Sequence, residues 1–342
     1  MNGKNLFKYF LAFVITVGAL YLAFRGQDFT AIGKELSNTS IWAISLSVLF
    51  QICAHFVRGW RWQFLLRPIK ERTSLWGAFK AVMAGYAMNN VIPRSGELIR
   101  PAMASVQEKM PFAGTLATII VERIFDVIAL GILFVFSLFS FEKEFKTSFP
   151  DLSGAAIPLL AFITTGLIVF VAIFVSKRIS HFFLGLIHKI FPQKLAEPLA
   201  RAFETFTTGL HGLQKNTALP ILLGTIGVWS CYLASTYFGL YALPGSGIEA
   251  IGFKGAIVLL SLAGVAITIP TPGGTGTYHY FISQALLLFF GINASKAIAF
   301  ATVTHAANYI VITVIGLIFM FSAGISLKAA KKNTEKEELH SI

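Results

Sequence analysis

A chain of 342 residues that is 55% hydrophobic and only 13% charged, with a mean hydropathy of +0.71, cannot present a water-soluble surface over its whole length, and this excludes an ordinary soluble enzyme. The formal net charge of +12 would suit nucleic acid, but the lysines and arginines flank apolar runs instead of forming a basic domain, so they read as membrane flanks and no nucleic-acid partner is expected. With 33 phenylalanines and apolar runs that recur near the length needed to cross roughly 30 Å of hydrocarbon, the fold class expected is all-α, a polytopic transmembrane helical bundle.

The first run, Leu6 to Phe24, follows Lys4 and Lys8 and has the outline of a signal peptide, but no small-residue cleavage site follows it, so it reads as a retained span. Further spans are expected at Ile41 to Val57, Thr115 to Phe139, Ile157 to Val175, Leu219 to Leu240 and Ala297 to Ser322. Cys53 and Cys231 lie inside such runs and read as small hydrophobes. Arg58-Gly59-Trp60-Arg61-Trp62 closes the second span and reads as an interfacial anchor of cations and aromatics, with head-group contact as the alternative.

Two apolar segments end differently. Trp76 to Ile92 runs into Pro93-Arg94-Ser95-Gly96-Glu97, and Lys254 to Ile269 runs into Pro270-Thr271-Pro272-Gly273-Gly274-Thr275-Gly276; each ends in a helix-breaking loop. The chain returning after Pro93, from Glu97 to Met110, is too polar to face lipid. A re-entrant hairpin shielded by protein is therefore expected there, with a second from Lys254 to Gly291 whose depth stays open.

A cytoplasmic N-terminus puts Arg58 to Arg72, Lys177 to Lys215 and Lys328 to Lys336 on the cytoplasmic side, as positive-inside topology requires. Each half then reads span, span, hairpin, span. Three crossings per half invert the second copy, giving an inverted repeat of 1–140 and 141–327, with interfacial helices at about 178–215 and a disordered cytoplasmic tail over 328–342. The expected location is the cell (inner) membrane, multi-pass, with both termini cytoplasmic.

Two groups of residues could carry chemistry. Arg94, Glu97 and Arg100 follow the first break, beside Asn89 and Asn90, and Glu122, Arg123 and Asp126 lie inside the next span. An ionised group at membrane depth costs about 2.5–3.5 kcal/mol on insertion scales, so these must find partners. Arg123 and Asp126 are neighbours at i and i+3, which leaves Glu122 for Arg94 or Arg100. A structural network and a ligand site are equally compatible with this pattern.

The second group is Thr271, Gly273, Gly274 and Thr275 in the glycine-rich break, then Tyr278 and His279, with His305 and Asn308 on the last span. A helix starting near Thr277 would aim its positive end at the loop, which suits an anion. The alternative is that these residues only permit a sharp break, the histidines being satisfied core residues. No Walker or dinucleotide pattern accompanies the glycines, and no metal or cofactor is expected.

Asn89-Asn90-Val91-Ile92-Pro93-Arg94-Ser95-Gly96-Glu97-Leu98-Ile99-Arg100, Val121-Glu122-Arg123-Ile124-Phe125-Asp126 and Pro270-Thr271-Pro272-Gly273-Gly274 together resemble the lysylphosphatidylglycerol synthase transmembrane-region family, the flippase-like membrane half of the multiple peptide resistance factor. The resemblance implies a multi-span protein with inverted repeats that moves lipids or lipid-linked head groups between leaflets. It also implies roles for Arg94, Glu97, Arg100, Glu122, Arg123 and Asp126, with the Pro272-Gly273-Gly274 break opposite.

Only a short tail follows Ser322, where the resistance factor carries its aminoacyl-transfer domain, so lysyl transfer by this chain is not expected and no catalytic residue is assigned. The expected ligand is a phospholipid or polyprenyl-linked lipid. Two rival readings are an intramembrane enzyme acting on a lipid-linked sugar or phosphate, with Glu97, Glu122 or His305 as base, and a noncatalytic partner of a separate synthase.

Overall fold

The computed structural model describes residues 3–148, 176–190 and 215–323, with isolated positions at 165–166, 193, 196–197 and 200. Among these the regular structure is all helical. The expected span at 157–175, the interfacial helix at 199–213 and the tail from 328 lie outside the described residues.

In chain order the α-helices are α1 (Gly3–Phe24), α2 (Phe29–Ser37), α3 (Ile41–Leu66), α4 (Leu75–Val91), α5 (Gly96–Glu108), α6 (Phe112–Ser140), α7 (Glu142–Ser148), α8 (Lys177–Ile190), α9 (Lys215–Gly239), α10 (Gly252–Thr268), α11 (Thr277–Phe290) and α12 (Ala294–Ser322). Among the described residues, four segments are long and apolar enough to cross a membrane: Ile41–Leu66, Thr217–Ala242, Ile248–Thr268 and Ala294–Ser322. The first of these runs well past the Val57 expected from hydropathy, and the first arm of the second hairpin is itself of spanning length.

Proline sets both breaks. Ile92 and Ile269 precede Pro93 and Pro270 and both take extended backbone, φ −131° and −72° with ψ 119° and 126°, because the proline ring disfavours helical geometry in the residue before it. At the far ends, Ser74 Oγ caps α4 by accepting from the Gly77 amide, and Gly291 closes α11 in the left-handed region at φ 63°, where glycine carries no steric cost.

The hairpin α4–α5 closes tightly. The Gly96 amide donates to Asn89 Oδ1 at 2.8 Å, and Ser95 Oγ donates to the carbonyls of Met88 and Ile92, both at 2.8 Å.

The two hairpins lie end to end. Along α12, Phe319 packs on Trp76 and Phe79, Gly316 meets Met83 and Ala87, and Tyr309 and Thr313 bond to Asn90. Continuing toward the N-terminus of α12, His305 bonds to the Gly273 carbonyl and Thr304 to Tyr278, and Ala297 to Ala301 share a core with Ile282, Ala285 and Leu286. On the other side, α6 meets the first hairpin through Glu122 and Arg100, and the second through Leu130 against Gly264 and Ser137 against Ser261. Both flanking helices have 29 residues, or roughly 43 Å at 1.5 Å per residue. The breaks thus abut beside the middle of two membrane-length helices.

Ile310, Val314, Ile318 and Phe321 form an exposed apolar stripe on α12, and Ile120, Val127, Ile132, Phe136 and Phe139 are exposed along α6, the outer surface a bilayer requires. Small residues allow the inner contacts: a Cβ on Gly316 would stand 2.2 Å from the Met83 carbonyl, the close approach typical of helix pairs in membranes. Helix α8 packs Ile179 and Phe183 against the core around the first hairpin and leaves Phe182 exposed.

At the base of the first hairpin, Lys70 Nζ binds Glu108 Oε2 at 2.6 Å and the Ser74 amide donates to Oε1 at 2.9 Å. Partial burial pushes the Glu108 carboxyl up, but the lysine and the amide outweigh it and hold the group below its ordinary value of 4.5. A lowered native pKa gives stability that is present above the unfolded value and lost as pH falls through the native one. Melting of the purified protein should therefore show a steeper acid limb below pH 4.5 than Glu108→Gln, and identical slopes would contradict the assignment.

Candidate functional site

The ionic cluster forms where α3, α5, α6 and α9 converge. Helical spacing puts Glu122 and Asp126 on one face of α6, at i and i+4, where two carboxylates repel unless cations intervene. The Arg100 fork binds Glu122 in parallel, Nη1 to Oε1 at 2.8 Å and Nη2 to Oε2 at 2.7 Å, the charge-assisted bidentate pairing arginine favours. Its guanidinium also stacks 3.9 Å from the Trp62 ring.

Arg58 bridges the two acids, with Nη1 2.6 Å from Glu122 and 2.5 Å from Asp126. Arg61 adds Nη2 to Asp126 at 2.9 Å and Nη1 to Thr225 on α9 at 2.9 Å. Gly224 makes room for it, since a Cβ there would lie 2.7 Å from Arg61 Cβ. Behind Arg58 stand Tyr86 and Tyr232, their rings within 6 Å of its guanidinium, and buried His55 stacks on Tyr86 at 4.1 Å.

Arg58 and Arg61 therefore do not form an interfacial anchor. They are 2% and 0% exposed and supply most of the contacts to Asp126. The expected pairing of Arg123 with Asp126 is the weakest in the cluster at 3.5 Å, and the Arg123 side chain is 39% exposed. Glu122 takes Arg100 and Arg58, while Arg94 lies elsewhere.

Arginine stays protonated in proteins. The cluster thus sets Arg58, Arg61, Arg100 and Arg123 against Glu122 and Asp126, four charges against two, for an excess of two positive charges. Arg94 and Glu97 are both exposed; Arg94 is bonded elsewhere, whereas Glu97 adds a third acid beside the cluster. Next to the cluster is a crevice lined by Val82, Gly85, Tyr86, Asn89, Gly96, Glu97, Arg100, Ile119 and Arg123, with interior room for no more than about one water. The Nε atoms of Arg100 and Arg123 are buried without a partner.

At the junction of the breaks, Arg94 takes left-handed backbone at φ 61° and donates from Nη2 to the Thr268 carbonyl at 3.1 Å, placing a cation at the negative end of α10. Gly273, also left-handed at φ 55°, leaves no space for a side chain: a Cβ would lie 2.5 Å from Asn90 Oδ1 and 2.7 Å from Tyr309.

The loop amides are largely used internally, which leaves few of them to serve the anion expected at the start of α11. Gly274 and Thr275 donate to the carbonyls of Thr271 and Pro272, and the Gly276 amide to His279 Nδ1 at 3.4 Å. Thr271 bonds to Thr277 at 3.2 Å, His279 and His305 meet edge to face with ring centroids 4.9 Å apart, and Asn308 Nδ2 donates to the Thr304 carbonyl at 3.0 Å while its Oδ1 is buried without a partner.

Membrane-length helices with lipid-facing stripes and paired charges within make this a multi-pass helical membrane protein. The chain belongs to the family of the lysylphosphatidylglycerol synthase TM region, which matches residues 9–316. It is 22% identical over 344 aligned residues to the glycosyltransferase AglD of Haloferax volcanii, covering 93% of this chain but 54% of that protein, so it spans about half the relative's length. It is 23% identical over 319 residues to the UPF0104 membrane protein MJ1595 of Methanocaldococcus jannaschii, covering 87% of this chain and 89% of the relative. No solved structure matches. The family and these relatives fit a lipid-related role in the membrane.

Proposed function

We propose that this chain carries the charged head of a phosphate-bearing membrane lipid from one leaflet to the other, in a cell membrane with both termini cytoplasmic. The observation that carries this reading is that three buried arginines, joined by the partly exposed Arg123, meet only two carboxylates beside a crevice at membrane depth: surplus cations there are expensive unless they serve an anionic ligand. Hairpins that meet at their tips supply a plausible motion. If they are equivalent parts of oppositely oriented repeats, over 1–140 and 141–327, rocking one against the other opens the crevice to alternate sides while acyl chains stay in lipid.

The test is leaflet exchange in vesicles holding the purified protein and fluorescent phosphatidic acid, phosphatidylglycerol or polyprenyl phosphate. Wild type should accelerate at least one. Arg123→Gln, which removes the least committed cation and leaves the carboxylates paired, should slow it by about tenfold or more, the size of one charge-assisted hydrogen bond. Equal rates for the two proteins, or none with any lipid, would end the proposal.

The glycosyltransferase relative favours a second reading, assistance to an enzyme that acts on a lipid-linked sugar. A separate synthase that co-purifies with this chain, in the absence of any lipid movement, would support it.

A further inference from the structure

Helices α3 and α9 run antiparallel, and their contacts fix a register. Ser47 Oγ lies 3.1 Å from Ser235 Oγ, the rings of Phe50 and Phe238 stack at 5.3 Å, a Cβ on Gly227 would meet Val57 at 3.1 Å, and Arg61 bonds to Thr225. Rising numbers on α3 thus meet falling numbers on α9. By helical spacing Ser47, Phe50, Val57 and Arg61 share one face of α3, and Gly227, Ser235 and Phe238 share the face of α9 that meets it.

The two cysteines of the chain fall on this seam. Cys53 stands at the edge of the first face between Phe50 and Val57, and Cys231 stands within the second between Gly227 and Phe238. The register sets them opposite each other, on the rung between the Phe50–Phe238 and Val57–Gly227 contacts. A charge on one sulfur is felt at the other, as that placement requires. Gly227 and the fully buried Ala54 let the helices approach closely, which matters because a disulfide spans only about 4.4–6.8 Å between Cα atoms.

We infer that Cys53 and Cys231 are a redox-active dithiol that closes into a disulfide across the α3–α9 seam, with a lipid-soluble quinone as oxidant. Two S–H bonds break and one S–S bond forms, while two electrons and two protons pass to the quinone, which leaves as hydroquinone. Depth selects the oxidant. Both thiols are free and half-buried near the middle of membrane-length segments, Ile41–Leu66 and Thr217–Ala242, where a quinone dissolves and a charged, water-borne oxidant does not. Reduced, they pack as small hydrophobes.

The bond would tie the helix that carries Arg58 and Arg61 to the helix that holds them through Tyr232 and Thr225. These helices come from opposite halves of the chain. On the lipid-carrier reading, on which this consequence rests, rocking of the halves requires the seam to shift, and the oxidised protein is arrested.

Decylubiquinone, whose ring is fully substituted and takes no thiol adduct, is the probe. Full-length protein in phosphatidylcholine vesicles should lose both free thiols together, as counted with a maleimide label after denaturation. It should run as a monomer on a non-reducing gel and yield a peptide pair joined through Cys53 and Cys231. Tributylphosphine, which enters the bilayer, should return both thiols, and Cys53→Ser and Cys231→Ser should each keep their remaining one. Two thiols still free after decylubiquinone, loss of the thiol in either single variant, or a link between two copies of the chain overturns the inference.

Leaflet exchange in the same vesicles tests the arrest separately. Oxidation should slow it by about tenfold or more, tributylphosphine should restore it, and the double variant Cys53→Ser/Cys231→Ser should keep the wild-type rate with or without quinone. Unchanged exchange by the cross-linked protein overturns the arrest and leaves the disulfide. Absence of exchange by the reduced protein, with every lipid tried, removes the carrier reading, and the thiol count still decides the disulfide.

Discussion

Glu122→Gln is expected to destabilise the protein by about 3–5 kcal/mol, the cost of removing one partner from a buried ion network. Glu122 is 0% exposed and neutralises the Arg100 fork while sharing Arg58 with Asp126. Glutamine keeps the shape but donates from one of the two positions that must accept, leaving four guanidiniums against a single carboxylate. Denaturation in mixed micelles measures the loss. The double variant Arg100→Met/Glu122→Gln should recover part of it, since methionine can fill the space over Trp62 and removes the stranded cation. A single variant as stable as wild type would show that the network contributes nothing to the fold.

The second large effect lies at the hairpin. A Cβ on Gly96 would stand 1.9 Å from the Gly85 carbonyl oxygen and 2.9 Å from Asn89 Cγ, and these are backbone and hydrogen-bonded groups that cannot swing aside. Gly96→Ala must spread α4 from α5 at a cost of about 1–3 kcal/mol or more, and the spreading also pulls Arg100 away from Glu122.

Gly85 provides an internal comparison. Its added Cβ would meet Arg100 Cβ at 3.0 Å and the Gly96 carbonyl at 3.1 Å, so Gly85→Ala should cost less. Melting temperatures in the order wild type, Gly85→Ala, Gly96→Ala are the outcome expected, and a Gly96→Ala protein as stable as Gly85→Ala would refute the tight-closure account.

Much of this architecture is legible in the sequence because its signals are local. Pro93 and Pro270 mark the two breaks through the residue each one follows, and the acids of α6 announce themselves by standing in an apolar run. Arg58 and Arg61 were not legible in the same way. Flanked by Trp60 and Trp62 at the end of an apolar segment, they have the composition of a membrane boundary, yet Trp62 is fully buried and its indole donates to Thr118 at 2.8 Å.

Their partners lie 64 to 68 positions away, beyond the reach of any periodicity argument. One clue was present: His55, Arg58 and Arg61 recur at intervals of three along one helical face, and the span opposite them carries two acids with too few cations nearby. The glycine break misled in the other direction. Its composition suggests free amides, but Thr271, Pro272 and His279 take up those of Gly274, Thr275 and Gly276.

The distance in sequence between Arg58 and Glu122 also sets an order of events at the ribosome. At 5–20 residues per second, the 64 positions separating them take about 3–13 s to synthesise, during which the two guanidiniums of α3 lack the acids they bind in the folded protein. The C-terminal turns of α3 must wait among lipid head groups until α6 is made, then sink. A nascent chain stopped before α6 should leave Arg61 open to aqueous reagents, and one extended past Asp126 should withdraw it.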